Sequence, residues 1–346
     1  MTDNKKRTVY IDVLRCIACF FVIVNHTVST EITYYTFGVP WLSLVAYFFL
    51  SKTAVPLFIM ITGSLLLRKN ETYFSTFKRV LRIVIVLVIV AIIYYFAYFG
   101  VKGGVIEIIK SVVLNVFQDG ISNEFWYLYL YIGILIMMPL LRKMRSNMQE
   151  RDYKYLIGIS LFINGVYPLL AKLIPALNTV AQFDLAIFES SIAYLFFGDY
   201  VKRYDKFTEK KNSIYAAIII LISLVVCTAI TSSTYLANQE YWLWLDNIAL
   251  VTTFLPSCCV FILIRNLYIN ISDSIVGRVF TDIGQCTFGM YLISDIVILY
   301  FKFIYRGLRG IISGIPAVIF YEVFVFVLCY LIIKMLRIIP FVKKLI

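Results

Sequence analysis

The sequence predicts an all-α fold, a polytopic bundle of about ten transmembrane helices. Of its 346 residues 61% are hydrophobic and only 15% are charged, and the mean hydropathy is +0.87. A water-soluble domain does not carry such a composition. The apolar residues also fall into runs of about 17 to 25, the length that a helix needs to cross the hydrocarbon core of a bilayer. The lipid bilayer is therefore the first partner that the sequence predicts.

Ten such runs follow one another along the chain. They cover residues 8–28, 41–67, 80–99, 125–141, 155–174, 183–201, 214–233, 242–264, 288–304 and 315–336. No linker, repeat or low-complexity tract divides them, so we expect a single membrane-embedded domain over residues 1–346. Segment 101–122, between the third and fourth runs, is amphipathic in places, and it predicts a short interfacial helix.

Basic residues predict the orientation of the bundle. Lys and Arg cluster where the even-numbered runs end, at residues 68–82, 142–154, 202–211, 265–278 and 337–344. The positive-inside rule then places both chain termini in the cytoplasm, with the protein a multi-pass protein of the cytoplasmic membrane. Lys302, Arg306 and Arg309, after the ninth run, are the exception. The net charge of +12 thus reflects topology, and no nucleic-acid partner is expected.

The cysteines and the N-terminus predict neither a disulfide framework nor a cleaved leader. All seven cysteines lie in apolar stretches, where a thiol behaves as a small hydrophobe. Cys16 and Cys19 share a helix face, but a chain with one histidine lacks the further ligands of a zinc site, so no metal is expected. The first run is longer than a signal peptide and no small-x-small cleavage site follows it, which indicates an uncleaved first span.

The one histidine of the chain, His26, lies inside the first apolar run. Imidazole is the side chain whose ordinary pKa lies nearest neutral pH, so His26 is a candidate proton carrier or nucleophile. Ten residues separate it from Arg15, an axial rise of about 16 Å that places Arg15 toward the cytoplasm. Asp12 can neutralise Arg15 from one turn away. An interfacial anchor and a merely structural histidine are the alternative, but polar groups are rare in spans, which favours function.

Arg79 and Arg82 lie one turn apart at a predicted cytoplasmic entrance. Two guanidinium groups at this spacing can bind phosphate groups bidentately. Positive-inside topology places arginines at the same position for a different reason. The residues alone leave these two explanations equally open.

A set of motifs, weak singly but ordered along nearly the whole chain, resembles the acyltransferase-3 family of integral membrane acyltransferases. The motifs are Asp12-Val-Leu-Arg15 followed by His26, the run from Val55 to Gly63, Arg79-Val-Leu-Arg82, Phe125-Trp-Tyr-Leu128 leading to Pro139, and Phe288-Gly-Met-Tyr-Leu292. The resemblance implies a bundle of about ten helices. It also implies an enzyme that takes an acyl group, usually acetyl, from cytoplasmic acyl-coenzyme A and passes it to a hydroxyl of an envelope polysaccharide or glycolipid.

The resemblance assigns roles to four of these residues. Arg15 and His26 match the family's Arg-x10-His signature, in which the histidine is catalytic. Arg79 and Arg82 match its Arg-x-x-Arg pair, which contacts the coenzyme A donor. Acetyl-coenzyme A would be a substrate, and no permanently bound cofactor is expected. His26 would act as general base on the acceptor hydroxyl or as a transient acyl carrier.

Two positions depart from the family pattern. Many relatives carry a histidine just before Trp-Tyr-Leu, where this chain has Glu124 and Phe125, and another after Gly-x-Tyr-Leu-Ile, where it has Ser294 and Asp295. Two explanations follow. Glu124 and Asp295 substitute for the missing histidines, or the acceptor differs from that of those relatives.

Lys52 is a further candidate for the site. It precedes Pro56, whose ring interrupts the helix hydrogen-bond ladder at membrane depth. Lys52 either stabilises an oxyanion or binds the acceptor, or else it snorkels or pairs with Asp295 or Glu189.

Three other residues are weaker candidates. Glu189 and Glu322 are both candidates for orienting His26. Trp126 can stack on a sugar face, although an aromatic belt at the membrane boundary explains a tryptophan there better.

The competing hypothesis is a transporter or flippase for a lipid-linked sugar or an anion, with the buried charges along its path. Transporters commonly contain paired repeats with interrupted helices at corresponding positions. The prolines of this chain are not spaced as two copies: Pro56, Pro139, Pro168, Pro256 and Pro316. The sequence therefore favours the enzyme.

Overall fold

The computed structural model describes residues 8–100, 104–117, 122, 124–174, 190–238, 245, 247, 249–268, 274–312 and 314–346. Every regular element within these ranges is helical, and no strand occurs among them. Nine helical stretches of the described chain are long and apolar enough to cross a membrane. The all-α polytopic bundle that composition predicts is confirmed.

The helices are numbered in chain order. The first half of the chain forms α1 (Val9–Glu31), α2 (Val39–Ser51), α3 (Ala54–Leu66), α4 (Tyr73–Phe99), α5 (Val105–Phe117), α6 (Trp126–Asn147), α7 (Glu150–Ser160) and α8 (Tyr167–Leu173). The second half forms α9 (Ser190–Arg203), α10 (Lys210–Asn238), α11 (Val251–Tyr268), α12 (Ile275–Gly284), α13 (Thr287–Ile311), α14 (Ile315–Leu336) and α15 (Pro340–Leu345). A short 3₁₀ turn, Ile32–Tyr34, extends α1, and a π-helical stretch, Leu161–Val166, joins α7 to α8.

The predicted spans correspond to these helices, with several ends displaced by a few residues. The sixth predicted span, residues 183–201, lies partly outside the described residues, and its described part belongs to α9. The eighth predicted span, residues 242–264, begins outside the described residues, and α11 begins at Val251. Within the segment predicted to be interfacial, α5 forms a helix of 13 residues.

Helix α1 lies at the centre of the bundle. It packs against α2, α3, α11, α12, α13 and α14. A helix that is apolar on nearly all sides is buried in this way, and most residues of α1 are buried. The polar groups that α1 carries are therefore surrounded by protein.

The second span is broken in its middle, where α2 ends at Ser51 and α3 begins at Ala54. Pro56 has no backbone N–H to donate to the carbonyl of Lys52, and the ladder resumes with the Leu57 N–H donating to the carbonyl of Thr53 at 3.0 Å. The interruption predicted from the proline is present. It turns Ser51 and Lys52 toward the interior beside α1.

A buried aspartate ties together the ends of several helices at the basic end of the bundle. Asp199 of α9 is fully buried. It accepts hydrogen bonds from Arg68 Nε at 2.9 Å, from Arg145 Nε at 2.9 Å and from the Tyr153 hydroxyl at 2.6 Å. Because burying an unpaired carboxylate is costly, these contacts fix the ends of α3, α6 and α7 around α9.

Helices α3 and α9 approach each other through a reciprocal pair of glycines. A Cβ built on Gly63 would lie 1.8 Å from the carbonyl oxygen of Leu195, and one built on Gly198 would lie 2.0 Å from that of Met60. Small residues permit such close backbone contact between membrane helices. No side chain other than hydrogen fits at either position.

We expect Gly198→Ala to destabilise the folded protein, since the two backbones must separate to admit a methyl group. The cost should be about 1–3 kcal/mol or more, as for overpacking in general, and would be measured as a lower melting temperature of the purified protein in detergent. Gly133→Ala in α6 is the matched control, because nothing lies within 4 Å of a Cβ there. Equal melting temperatures for both variants would contradict the close contact of α3 with α9.

Candidate functional site

Polar side chains of α1 and its neighbours line two interior cavities. The first has a volume of about 310 Å³ and lies around His26. Its polar lining comes from α1, from the break between α2 and α3, from the start of α6, from α13 and from the segment before α11: Asn25, His26, Ser51, Lys52, Glu124, Trp126, Tyr127, Asn247 and Tyr291. Asn25 Nδ2 donates to Ser51 Oγ at 3.2 Å, which holds α1 against the end of α2.

Glu124 faces the imidazole of His26. The distance from His26 Nε2 to Glu124 Oε1 is 3.4 Å, and the Glu124 side chain is 1% exposed. This separation is slightly longer than a formed hydrogen bond, as is common where a catalytic contact tightens only with substrate. A carboxylate at this position can orient the ring and stabilise its protonated form.

Glu124 is itself fixed by α13. Its Oε2 accepts from Ser294 Oγ at 3.2 Å, and its backbone carbonyl accepts from the Tyr291 hydroxyl. Asp295, next along α13, accepts from the Tyr98 hydroxyl at 2.5 Å and from Ser122 Oγ at 2.9 Å. The two positions at which the sequence lacks the accessory histidines are thus in contact with each other, through Glu124 and Ser294.

The other candidate carboxylates have different surroundings. Glu322 of α14 accepts from Thr27 Oγ1 at 2.6 Å and from the Tyr47 hydroxyl at 2.8 Å. It therefore binds the residue after His26 and not the ring, and among the described residues the carboxylate that faces the ring is that of Glu124. Glu189 lies outside the described residues.

Lys52 and Trp126 lie at the same cavity. Lys52 Nζ is 4.3 Å from the centre of the Phe48 ring, a cation–π contact that partly offsets the cost of placing an ammonium group inside the bundle. Trp126 is 38% exposed, so its ring is available to a ligand at the cavity mouth. The cavity around His26 is thus lined by a basic group, by a carboxylate–histidine pair and by an aromatic face.

The second cavity, of about 440 Å³, brings together the arginines that the sequence singled out. Arg15, Arg79 and Arg82 all line it. Arg15 Nη1 donates to Asp12 Oδ1 at 3.0 Å, the one-turn pair that their spacing predicts. A wider basin of about 910 Å³ adjoins this cavity through Arg15, Leu65 and Lys69.

The arginine pair has defined partners. Arg82 Nε donates to the backbone carbonyl of Leu345 at 2.9 Å. Arg79 donates to both carboxylate oxygens of Glu71, a residue that sequence reasoning missed. The signal that could have found Glu71 is an acidic residue within a cluster of basic ones, between Lys69 and Arg79. Arginines turned into a shared cavity favour ligand binding over a purely topological role.

Two tyrosines separate the cavities. Tyr127 and Tyr291 line both of them, and their ring centres lie 5.8 Å apart at an interplanar angle of 86°. Phe58 packs on Tyr127 from the other side, with ring centres 5.8 Å apart. The two tyrosine rings therefore belong to the wall that the cavities share.

Comparison with known proteins gives a family match over almost the whole chain. A family model described as an acyltransferase domain matches residues 8–334. The match begins just before α1 and ends within α14, so it contains every lining residue of the two cavities except Ile346. No curated protein and no solved structure matches the chain.

Since His26 is the sole histidine, isotope-labelled histidine gives a single imidazole signal by NMR. We expect Glu124→Gln to shift the ring nitrogen resonances of His26 strongly, because the carboxyl group that lies 3.4 Å from Nε2 is replaced by an amide. Glu322→Gln is the matched control, since it neutralises an equally buried carboxylate that binds Thr27 and Tyr47. Equal or larger shifts in the control would contradict the pairing of His26 with Glu124.

Proposed function

Because the chain belongs to this family of acyltransferase domains and is a membrane acyltransferase, we propose that it moves an acetyl group from acetyl-coenzyme A to a hydroxyl of a cell-envelope polysaccharide or glycolipid. The observation that carries the proposal is the series of two cavities. Arginines line one, His26 lines the other, and Tyr127 and Tyr291 line both. The proposed setting is the cytoplasmic membrane, with both termini inside.

The arginine cavity suits the donor. Coenzyme A carries phosphate groups at one end and the thioester at the other end of a long flexible arm. Guanidinium groups bind phosphate with two parallel hydrogen bonds, so Arg79 and Arg82 hold the nucleotide end at the cytoplasmic mouth. The arm then extends along α1, past Arg15 and beside the tyrosines, toward His26.

The cavity around His26 suits the transfer of an acyl group. A proton on Nε2 shared with Glu124 leaves Nδ1 as the free nitrogen of the ring. In one route Nδ1 takes the proton of the acceptor hydroxyl as the oxygen attacks the thioester carbonyl, and the departing sulfur receives that proton. In the other route Nδ1 attacks the carbonyl and the coenzyme A thiolate leaves. The acceptor oxygen then takes the acetyl group from the ring, and the proton of the acceptor hydroxyl passes to the thiolate. Glu124 stabilises the positive ring in both routes.

The lining of the same cavity supports a sugar hydroxyl as the acceptor. Ligand sites commonly combine an apolar wall with a few polar groups that fix orientation. Trp126 offers a face for a sugar ring, and Lys52 and Asn25 offer hydrogen-bond donors. A volume of about 310 Å³ accommodates one sugar unit of a longer glycan, which suits modification of a polymer from outside the membrane.

We expect His26→Ala to lower acetyl transfer at least about 100-fold, the usual contribution of a general base, while coenzyme A binding is retained. Transfer would be measured with radiolabelled acetyl-coenzyme A and an envelope glycan fraction, and binding by calorimetry on the same preparation. Normal transfer by the variant would contradict the role of His26. A wild-type protein that neither binds nor consumes acetyl-coenzyme A would instead support a transporter.

The same binding measurement tests the donor site with Arg79→Lys and Arg82→Lys, which keep the positive charge but lose the planar guanidinium group. Both should weaken coenzyme A binding. Arg151→Lys is the matched control, because this arginine is 82% exposed and lines neither cavity. Unchanged affinity in all three variants would leave Arg79 and Arg82 as topology signals only.

A further inference from the structure

Three basic side chains surround Glu71, which lies between α3 and α4. Its Oε1 is 2.6 Å from Arg79 Nη2 and 3.6 Å from Lys69 Nζ. Its Oε2 is 3.2 Å from Arg79 Nε and 2.9 Å from Arg142 Nη2. The Glu71 side chain is 17% exposed, so it remains close to solvent at the mouth of the basin that it lines.

The charge state of Glu71 is set by these neighbours. Burial raises the pKa of the carboxyl group, but the hydrogen bonds from Arg79 and Arg142 outweigh it and bring the pKa down to about 2. Glu71 is therefore an anion at every physiological pH. It also lies just before the N-terminus of α4, the positive end of the helix dipole, which attracts anions.

The contact with Arg79 is bidentate and uses Nε and Nη2. This is one of the edges of the guanidinium group that a phosphate takes when it binds through two parallel hydrogen bonds. The carboxylate of Glu71 and a phosphate group cannot occupy that edge together. In the absence of a ligand, Glu71 takes the place of the anion.

We propose that Glu71 is a built-in competitor for the phosphate site at Arg79, and that the phosphate groups of the donor displace it onto Arg142 and Lys69. This inference rests on the proposed function, since it takes coenzyme A as the ligand. Displacement is feasible because Glu71 then loses its contact with Arg79 but keeps those with Arg142 and Lys69. The ion pair between Arg79 and Glu71 is then broken only by a ligand that binds Arg79 more strongly than the carboxylate of Glu71 does.

Such a competitor makes the site selective by charge. Coenzyme A carries a pyrophosphate and a phosphomonoester, whereas the phosphodiester of a common membrane lipid carries one negative charge. A ligand with one negative charge gains little electrostatic energy when it replaces a carboxylate already bound to Arg79, whereas a ligand with several negative charges gains more. Glu71 thereby keeps lipid headgroups off Arg79 at a membrane surface where they are abundant.

The test compares coenzyme A affinity of the full chain in nanodiscs before and after Glu71→Gln, which removes the charge and keeps the shape. We expect binding to tighten roughly tenfold, because a hydrogen bond to a charged group contributes about that factor and the competing one is weakened. Glu150→Gln is the matched control. It neutralises another carboxylate paired with two lysines, Lys154 and Lys206, and should leave affinity unchanged.

A double variant separates competition from a general gain of positive charge. In the Arg79→Lys background the bidentate fork is absent, so Glu71→Gln should no longer tighten binding appreciably. A gain that persists there would overturn the proposal, and so would unchanged or weaker binding in the single variant. Failure of wild-type protein to bind coenzyme A would overturn the proposed function along with it, so the two failures are distinguishable.

Discussion

The pairing of charges inside an apolar bundle is the constraint on which the rest of this structure depends. An unpaired charge among buried apolar helices costs several kcal/mol, so each one needs a partner with good geometry. His26 faces Glu124, and Arg15 binds Asp12. The first of these pairs links α1 to α6, and through Ser294 it reaches α13. The geometry around His26 and the packing of the helices thus depend on the same set of contacts.

The arrangement also explains why a single helix carries both ends of the site. Arg15 and His26 lie on α1 about 16 Å apart along its axis, one at each cavity. A donor whose phosphate groups and thioester are joined by a long arm can contact both cavities at the same time. Under the proposed function, the acyl group passes beside Tyr127 and Tyr291 to reach the histidine, and no large movement of the helices is needed.

Much of the fold follows from the sequence because its signals are local. Runs of apolar residues predict the helices, and Pro56 predicts the break between α2 and α3, since each depends on residues near one another in the chain. The partners in the site are not local. Glu124, at the start of α6, contacts Ser294 of α13. Glu71, between α3 and α4, contacts Arg142 of α6. Sequence reasoning named Glu124 only as a substitute for a missing histidine, and it offered Glu189 and Glu322 for orienting His26. The structure places Glu124 opposite the ring, while Glu189 lies outside the described residues.

The central claim is that one donor molecule reaches from the arginines to His26 past the tyrosine pair. The most direct measurement is a cryo-EM structure of the protein with a non-hydrolysable thioether analogue of acetyl-coenzyme A. The account predicts density for phosphate groups beside Arg79 and Arg82, and for the acetyl end beside Tyr127 and Tyr291, directed at the imidazole of His26. An analogue whose phosphate groups bind there while its acyl end points into the bilayer or the solvent, away from His26, would contradict it.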